Sequence, residues 1–245
     1  MKPKPFLKQL TKKRAVRIIL YLLWVLIGII IGQLFIGILM YSALGSSFSD
    51  NPLWMTIYTA ASYTITCFIV IFLPATYRNS KLSIVKKDLG LLGMLRWRDI
   101  GLAIVGFVAF YFLATLLTNV FSAIFPWFEA NQAQNIGFTN LIDPYARFLA
   151  VISLVLIVPV AEELLFRGWL YTKIRKHANL WITTLLVSAL FALVHGAWNV
   201  GIVVFAMSII MCLLREFTGT IWSSIFIHIL KNALALFILL QNGII

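Results

Sequence analysis

Apolar runs close to the ~20 residues that carry a helix across a bilayer core recur along almost the whole chain. Inside hydrocarbon every backbone polar group needs an internal partner, so runs of this length fold as helices. They are expected near 18–44, 54–77, 100–125, 147–172, 180–198, 200–214 and 219–241, the sixth being short and the fourth hard to bound. The fold class is therefore all-α, a polytopic transmembrane helical bundle of about seven spans. The 245 residues are 62% hydrophobic and 11% charged, against about half and a quarter in soluble domains, and the excess is concentrated in these runs. The first run is too long for the core of a signal peptide and lacks a small-residue cleavage site. It is read as an uncleaved first helix behind a basic cytosolic segment, 1–17, and as the start of a block of N-terminal membrane helices, 18–125.

A net charge of +12 would suit a nucleic-acid partner, but its placement argues against one. Lys2, Lys4, Lys8, Lys12, Lys13, Arg14 and Arg17 precede the first run, and six basic residues fall between 78 and 99. Lys173, Arg175, Lys176 and Arg215 follow the fourth and sixth runs, whereas the loops 45–53, 126–146 and 196–199 contain no Lys or Arg. This alternation is a topology signal that puts the amino terminus in the cytosol, and it fits contact with anionic lipid headgroups. The 78–99 segment mixes Leu, Ile and Met with Lys and Arg; an interfacial amphipathic helix and a solvated loop both remain open. Cys67 and Cys212 lie inside apolar runs without a C-x-x-C spacing, which makes them small buried hydrophobes rather than a disulfide or a metal pair.

Charge inside a span is costly and marks function by default. The fourth run contains Pro159, Glu162, Glu163 and Arg167. Glu163 and Arg167 are i,i+4 on one helix face with the acid on the amino-terminal side, the favourable order for an ion pair. Glu162 points about 100° away, has no basic partner at helical spacing, and is free to face a cavity. Pro159 removes the helical donor of the Val155 carbonyl. The fifth run ends in Phe191-Ala-Leu-Val-His195, and the seventh holds His228 and Asn232 at i,i+4, where imidazole and amide can donate to one oxygen. Glu162 and His195 are 33 residues apart, with the polar turn His177-Ala178-Asn179 at their midpoint. A tight hairpin there sets the two residues side by side, each ~25 Å from the turn.

The pattern Glu162-Glu163-x-x-x-Arg167, Phe191-x-x-x-His195, His228-x-x-x-Asn232 resembles the CPBP family of intramembrane proteases, also called Abi, with its type II CAAX prenyl proteases and lysostaphin-resistance proteins. The resemblance covers about residues 145–241, a catalytic membrane core; residues before about 100 carry no such motif. It implies that Glu162 and His195 activate water, that His228 and Asn232 stabilise the oxyanion, and that Glu163 and Arg167 hold the site in shape. The implied substrate is a membrane-embedded or lipidated protein or peptide, and the implied location the bacterial plasma membrane. The chemistry is coherent by itself, since peptide hydrolysis needs a base and donors aimed at the developing charge. Glu162, His195 and His228 also form a reasonable zinc set. However, no H-E-x-x-H motif is present, and the resemblance includes a metal-free, glutamate-dependent mechanism, which is favoured, with no cofactor. Two rival classes are a non-catalytic bacteriocin-immunity or scaffold protein and a proton-coupled transporter. The latter lacks the internal repeats expected of one.

Overall fold

A computed structural model describes residues 5–130 and 143–241. These residues form eight helices: α1 (Pro5–Leu44), α2 (Pro52–Tyr77), α3 (Leu82–Leu89), α4 (Trp97–Ile124), α5 (Pro144–Arg175), α6 (Leu180–Leu193), α7 (Trp198–Thr218) and α8 (Trp222–Gln241). Five of them are long and apolar enough to cross a membrane, namely α1 from Lys13, α2, α4, α5 and α7, and α6 and α8 are shorter apolar helices. All seven lie where the spans were expected, five long enough to cross and two shorter. Much of the 126–146 loop, at 131–142, and the basic residues Lys2 and Lys4 lie outside the described residues.

Two boundaries differ from expectation, and a third segment takes one of its two expected forms. The basic segment after residue 4 is helical and continuous with the first span. The 78–99 segment does contain a helix, α3, ended by Gly90 in the left-handed region at φ 72°. The short span is the fifth rather than the sixth: α6 has 14 residues, whereas α7 has 21. At 1.5 Å per residue α6 rises ~21 Å, less than the ~30 Å of a bilayer core. The chain turns at His195 after that shorter rise, with Leu193, Gly196 and Trp198 exposed around it.

Helices α2 and α5 are interrupted by wide π-helical turns at Phe68–Phe72, Ser153–Ile157 and Leu164–Leu170. Such turns cluster at functional sites, and they free carbonyls that buried helices must satisfy. The Val158 N–H donates five residues back, to Ser153, and the next possible donor to Leu154 is Pro159, which has no N–H. Leu154 receives the Asn232 side-chain amide instead, at 2.9 Å. In α2, Pro74 denies Val70 its α-helical donor, and the Trp24 indole N–H supplies one at 3.3 Å. Arg167, at the changeover that follows the Tyr171-to-Phe166 bond, accepts from Arg215 Nε at 3.3 Å. Each interruption is thus braced by a side chain from a neighbouring helix.

Packing surrounds the segment that carries the two glutamates. α5 packs against α2 and α8, while α7 packs against α4 and α6. Gly106 of α4 allows this approach, because a Cβ there would sit 2.7 Å from Ile227 Cδ1 and 2.8 Å from Leu214 Cδ1; small residues serve this purpose between membrane helices. On the basic side, Asp88 of α3 lies 3.0 Å from Lys173 Nζ and 3.3 Å from Lys176 Nζ. Beside it, Gly168 of α5 fits under the Leu89 backbone, so α3 is clamped to the helix that carries the glutamates.

Candidate active site

Glu162, Glu163, Arg167 and His228 are all buried, and they form one chain of contacts. Arg167 Nη1 donates to Glu163 Oε1 at 2.7 Å, the pair that helical spacing predicted. The Arg167 guanidinium also lies 4.3 Å over the ring of Phe191, a cation–π contact that replaces part of its lost hydration. His228 Nδ1 lies 2.9 Å from the same Glu163 oxygen, so the imidazole donates there to an acceptor-only carboxylate. The opposite nitrogen, Nε2, is 3.4 Å from Glu162 Oε2. Two lone pairs facing each other there would repel, so the geometry calls for a proton between Glu162 and His228.

The phenolic hydroxyl of Tyr63, on α2, donates to the other oxygen of Glu162. Lys231, part-buried on α8, comes within electrostatic range of Glu162. Sequence reasoning missed both residues and treated Glu162 as facing an empty cavity. The available signals were the polar cluster Ser62, Tyr63, Thr64 and Thr66 inside an apolar run, and a lysine between the two residues of the last motif. Neither signal names its partner, because Tyr63 and Glu162 are 99 residues apart.

His195 lies two residues beyond the end of α6. The last carbonyls of that helix are met in turn: Leu190 by the Val194 N–H, Ala192 by the His195 N–H and Leu193 by the Gly196 N–H. The remaining one, Phe191, lies 2.7 Å from His195 Nδ1. A carbonyl only accepts, so Nδ1 carries the hydrogen, and in the neutral ring Nε2 keeps its lone pair. Phe191 links the two histidines, with ring centroids 4.8 Å from His195 and 5.9 Å from His228, and His195 is within electrostatic range of both Glu162 and His228.

The structure therefore brings Glu162 and His228 into contact, with His195 beside them across Phe191. Asn232, on the same helix as His228, has a further partner. Its side-chain amide donates to Leu154, because the π turn at 153–157 and Pro159 leave that carbonyl open. One amide hydrogen of Asn232 remains for another acceptor. Among the described residues no three His, Cys, Asp or Glu side chains are grouped as a metal would require.

Residues 144–234 match a family model described as type II CAAX prenyl endopeptidase, Rce1-like. The chain is also similar to the uncharacterized protein YpbD of Bacillus subtilis (strain 168), being 29% identical over 121 residues, which are 49% of this chain and 62% of that relative. The chain thus spans somewhat less than two thirds of the curated relative it matches. No solved structure matches it.

Proposed function

We propose, from the match of residues 144–234 to the family model described as type II CAAX prenyl endopeptidase, Rce1-like, and from the buried Glu162–His228 contact, that this integral membrane protein is an intramembrane endopeptidase. Its substrate is a membrane-embedded or lipidated protein or peptide. Glu162 is the base that takes a proton from the attacking water and returns it to the leaving amine. His195 Nε2 accepts a hydrogen bond from that water and orients it. The His228 N–H facing Glu162 and the free amide hydrogen of Asn232 are the donors available to the tetrahedral oxyanion, and the Tyr63 hydroxyl holds the Glu162 carboxylate. Glu163 and Arg167 fix the His228 ring from the other side.

The observation that carries this reading is the Glu162–His228 contact within an apolar helix bundle. A buried acid–base pair of this kind needs a job that outweighs its desolvation cost. The test is cleavage of a lipidated reporter peptide by purified protein. Glu162→Gln keeps the shape and removes the base, so cleavage should fall at least ~10²-fold while the protein stays folded; near-native cleavage sinks the mechanism. The alternation of loop charge supports an amino terminus in the cytosol of a bacterial cell, with the anionic headgroups of that leaflet as partners. Cysteine introduced at Ser47 should then label from outside and at Ser83 only after permeabilisation, and the opposite pattern inverts the topology.

A further inference from the structure

A second concavity lies on the basic side of the bundle, apart from the glutamates. It is a groove of about 700 Å³ between α1, the end of α2, α3 and the end of α5, within the ~300–1,000 Å³ typical of small-molecule sites. Its floor is apolar: Trp24, Ile71, Leu89 and Trp169 line it, and the last three are at most 9% exposed. Its rim is polar, formed by Arg78, Asp88 and Lys173. The groove sits where two spans end, Pro52–Tyr77 and Pro144–Arg175, which is the level at which headgroups meet hydrocarbon.

The charge at the rim is unbalanced. Asp88 is shared by two ammonium groups, Lys173 and Lys176, and Arg78 makes no ion pair among the described residues. The rim therefore carries excess positive charge directly above an apolar floor. The complement to that pattern is an amphiphile with an anionic head and a hydrocarbon chain. At this level of a membrane the abundant molecule of that kind is an anionic phospholipid of the adjoining leaflet.

We infer that this groove is a binding site for one anionic phospholipid, its phosphate at Arg78 and Lys173 and one acyl chain along Trp24, Ile71 and Trp169. Trp169 is two turns along α5 from Glu162, roughly 10 Å at helical rise. The bound chain braces the helix that carries the acidic pair, at the place where α3 is clamped to it. The site does not depend on the chain being a protease, and lipid binding is read without any activity measurement.

The experiment is native mass spectrometry of the purified full chain, offered phosphatidylglycerol and phosphatidylcholine at equal concentration. Retention of one phosphatidylglycerol is expected, preferred by about fivefold, the factor that one interfacial cation supplies. Arg78→Glu, at an exposed residue where folding is not at stake, should remove the preference. Ala75→Trp, which fills the groove from its lining, should remove the lipid altogether. Equal retention of the two lipids, or an unchanged preference in Arg78→Glu, overturns the inference. So does a lipidated peptide that displaces the phosphatidylglycerol and is itself excluded by Ala75→Trp, since that assigns the groove to substrate.

Discussion

The side-chain amide of Asn232 donates to the backbone carbonyl of Leu154 at 2.9 Å, and Leu154 needs this donor because Pro159 stands where its π-helical partner would be. Asn232 is therefore a brace for α5 as well as a candidate donor to substrate. Asn232→Leu leaves a part-buried carbonyl unpaired and should destabilise the protein by about 1 kcal/mol. Pro159→Ala restores a backbone N–H, so the same Asn232 substitution should cost less in that background. Denaturation of the four proteins in detergent measures the cycle, and strict additivity would remove this explanation.

Tyr63 is tied to Glu162 from a helix outside the family-matched segment. Tyr63→Phe removes one donor to a carboxylate, an interaction worth ~1.5–3 kcal/mol. Cleavage should slow about tenfold to a hundredfold, mainly in kcat, with the folded yield unchanged. An unaffected rate would confine Tyr63 to packing.

Glu163 and Arg167 are both fully buried and pair at 2.7 Å. Removing one partner strands a charge at a cost of about 3–5 kcal/mol. Glu163→Gln or Arg167→Met should each reduce folded yield in detergent, and the double change should be milder than the two singles combined. Because Glu163 also accepts from His228, Glu163→Gln should impair cleavage beyond its loss of yield, whereas a purely structural pair would lose both in proportion.

The Asp88 carboxyl is pushed up by partial burial, but the hydrogen bonds and charges of Lys173 and Lys176 outweigh this and hold it below its ordinary value. A carboxylate depressed on folding stabilises above the unfolded pKa of ~3.9 and loses that contribution as pH falls through the folded value. The clamp of α3 on α5 should therefore hold at neutral pH and loosen in acid. Hydrogen exchange in Leu82–Leu89 should be up to about fivefold faster in Asp88→Asn than in the native protein near neutrality. The two should converge as pH falls through the folded value of Asp88, and a difference that persists in strong acid would assign the clamp to other contacts.

With Glu162 as base and no metal in the mechanism, a strong zinc chelator should leave cleavage within about twofold of its untreated rate, the scatter expected when no transition-state interaction is removed. Loss of activity that added zinc restores would reinstate Glu162, His195 and His228 as ligands.

The sequence by itself determined the membrane bundle, because run length against bilayer thickness depends on composition alone. It also determined the Glu163–Arg167 pair and the α5–α6 hairpin turn, where Asn179 caps α6 through Ile182. Both are local, and helical periodicity says which residues of one helix share a face. The tertiary structure decided the rest. It set Tyr63 against Glu162, ran His228 between two glutamates, and carried His195 past the end of a helix too short to span. It also gave Asn232 the Leu154 carbonyl as a partner. These placements depend on the rotation and depth of one helix relative to another. That relation is fixed by close contacts such as Gly106 against α7 and α8, and by wide turns that change the helical phase on either side of Glu162 and Glu163. A periodic pattern read along one helix contains neither quantity.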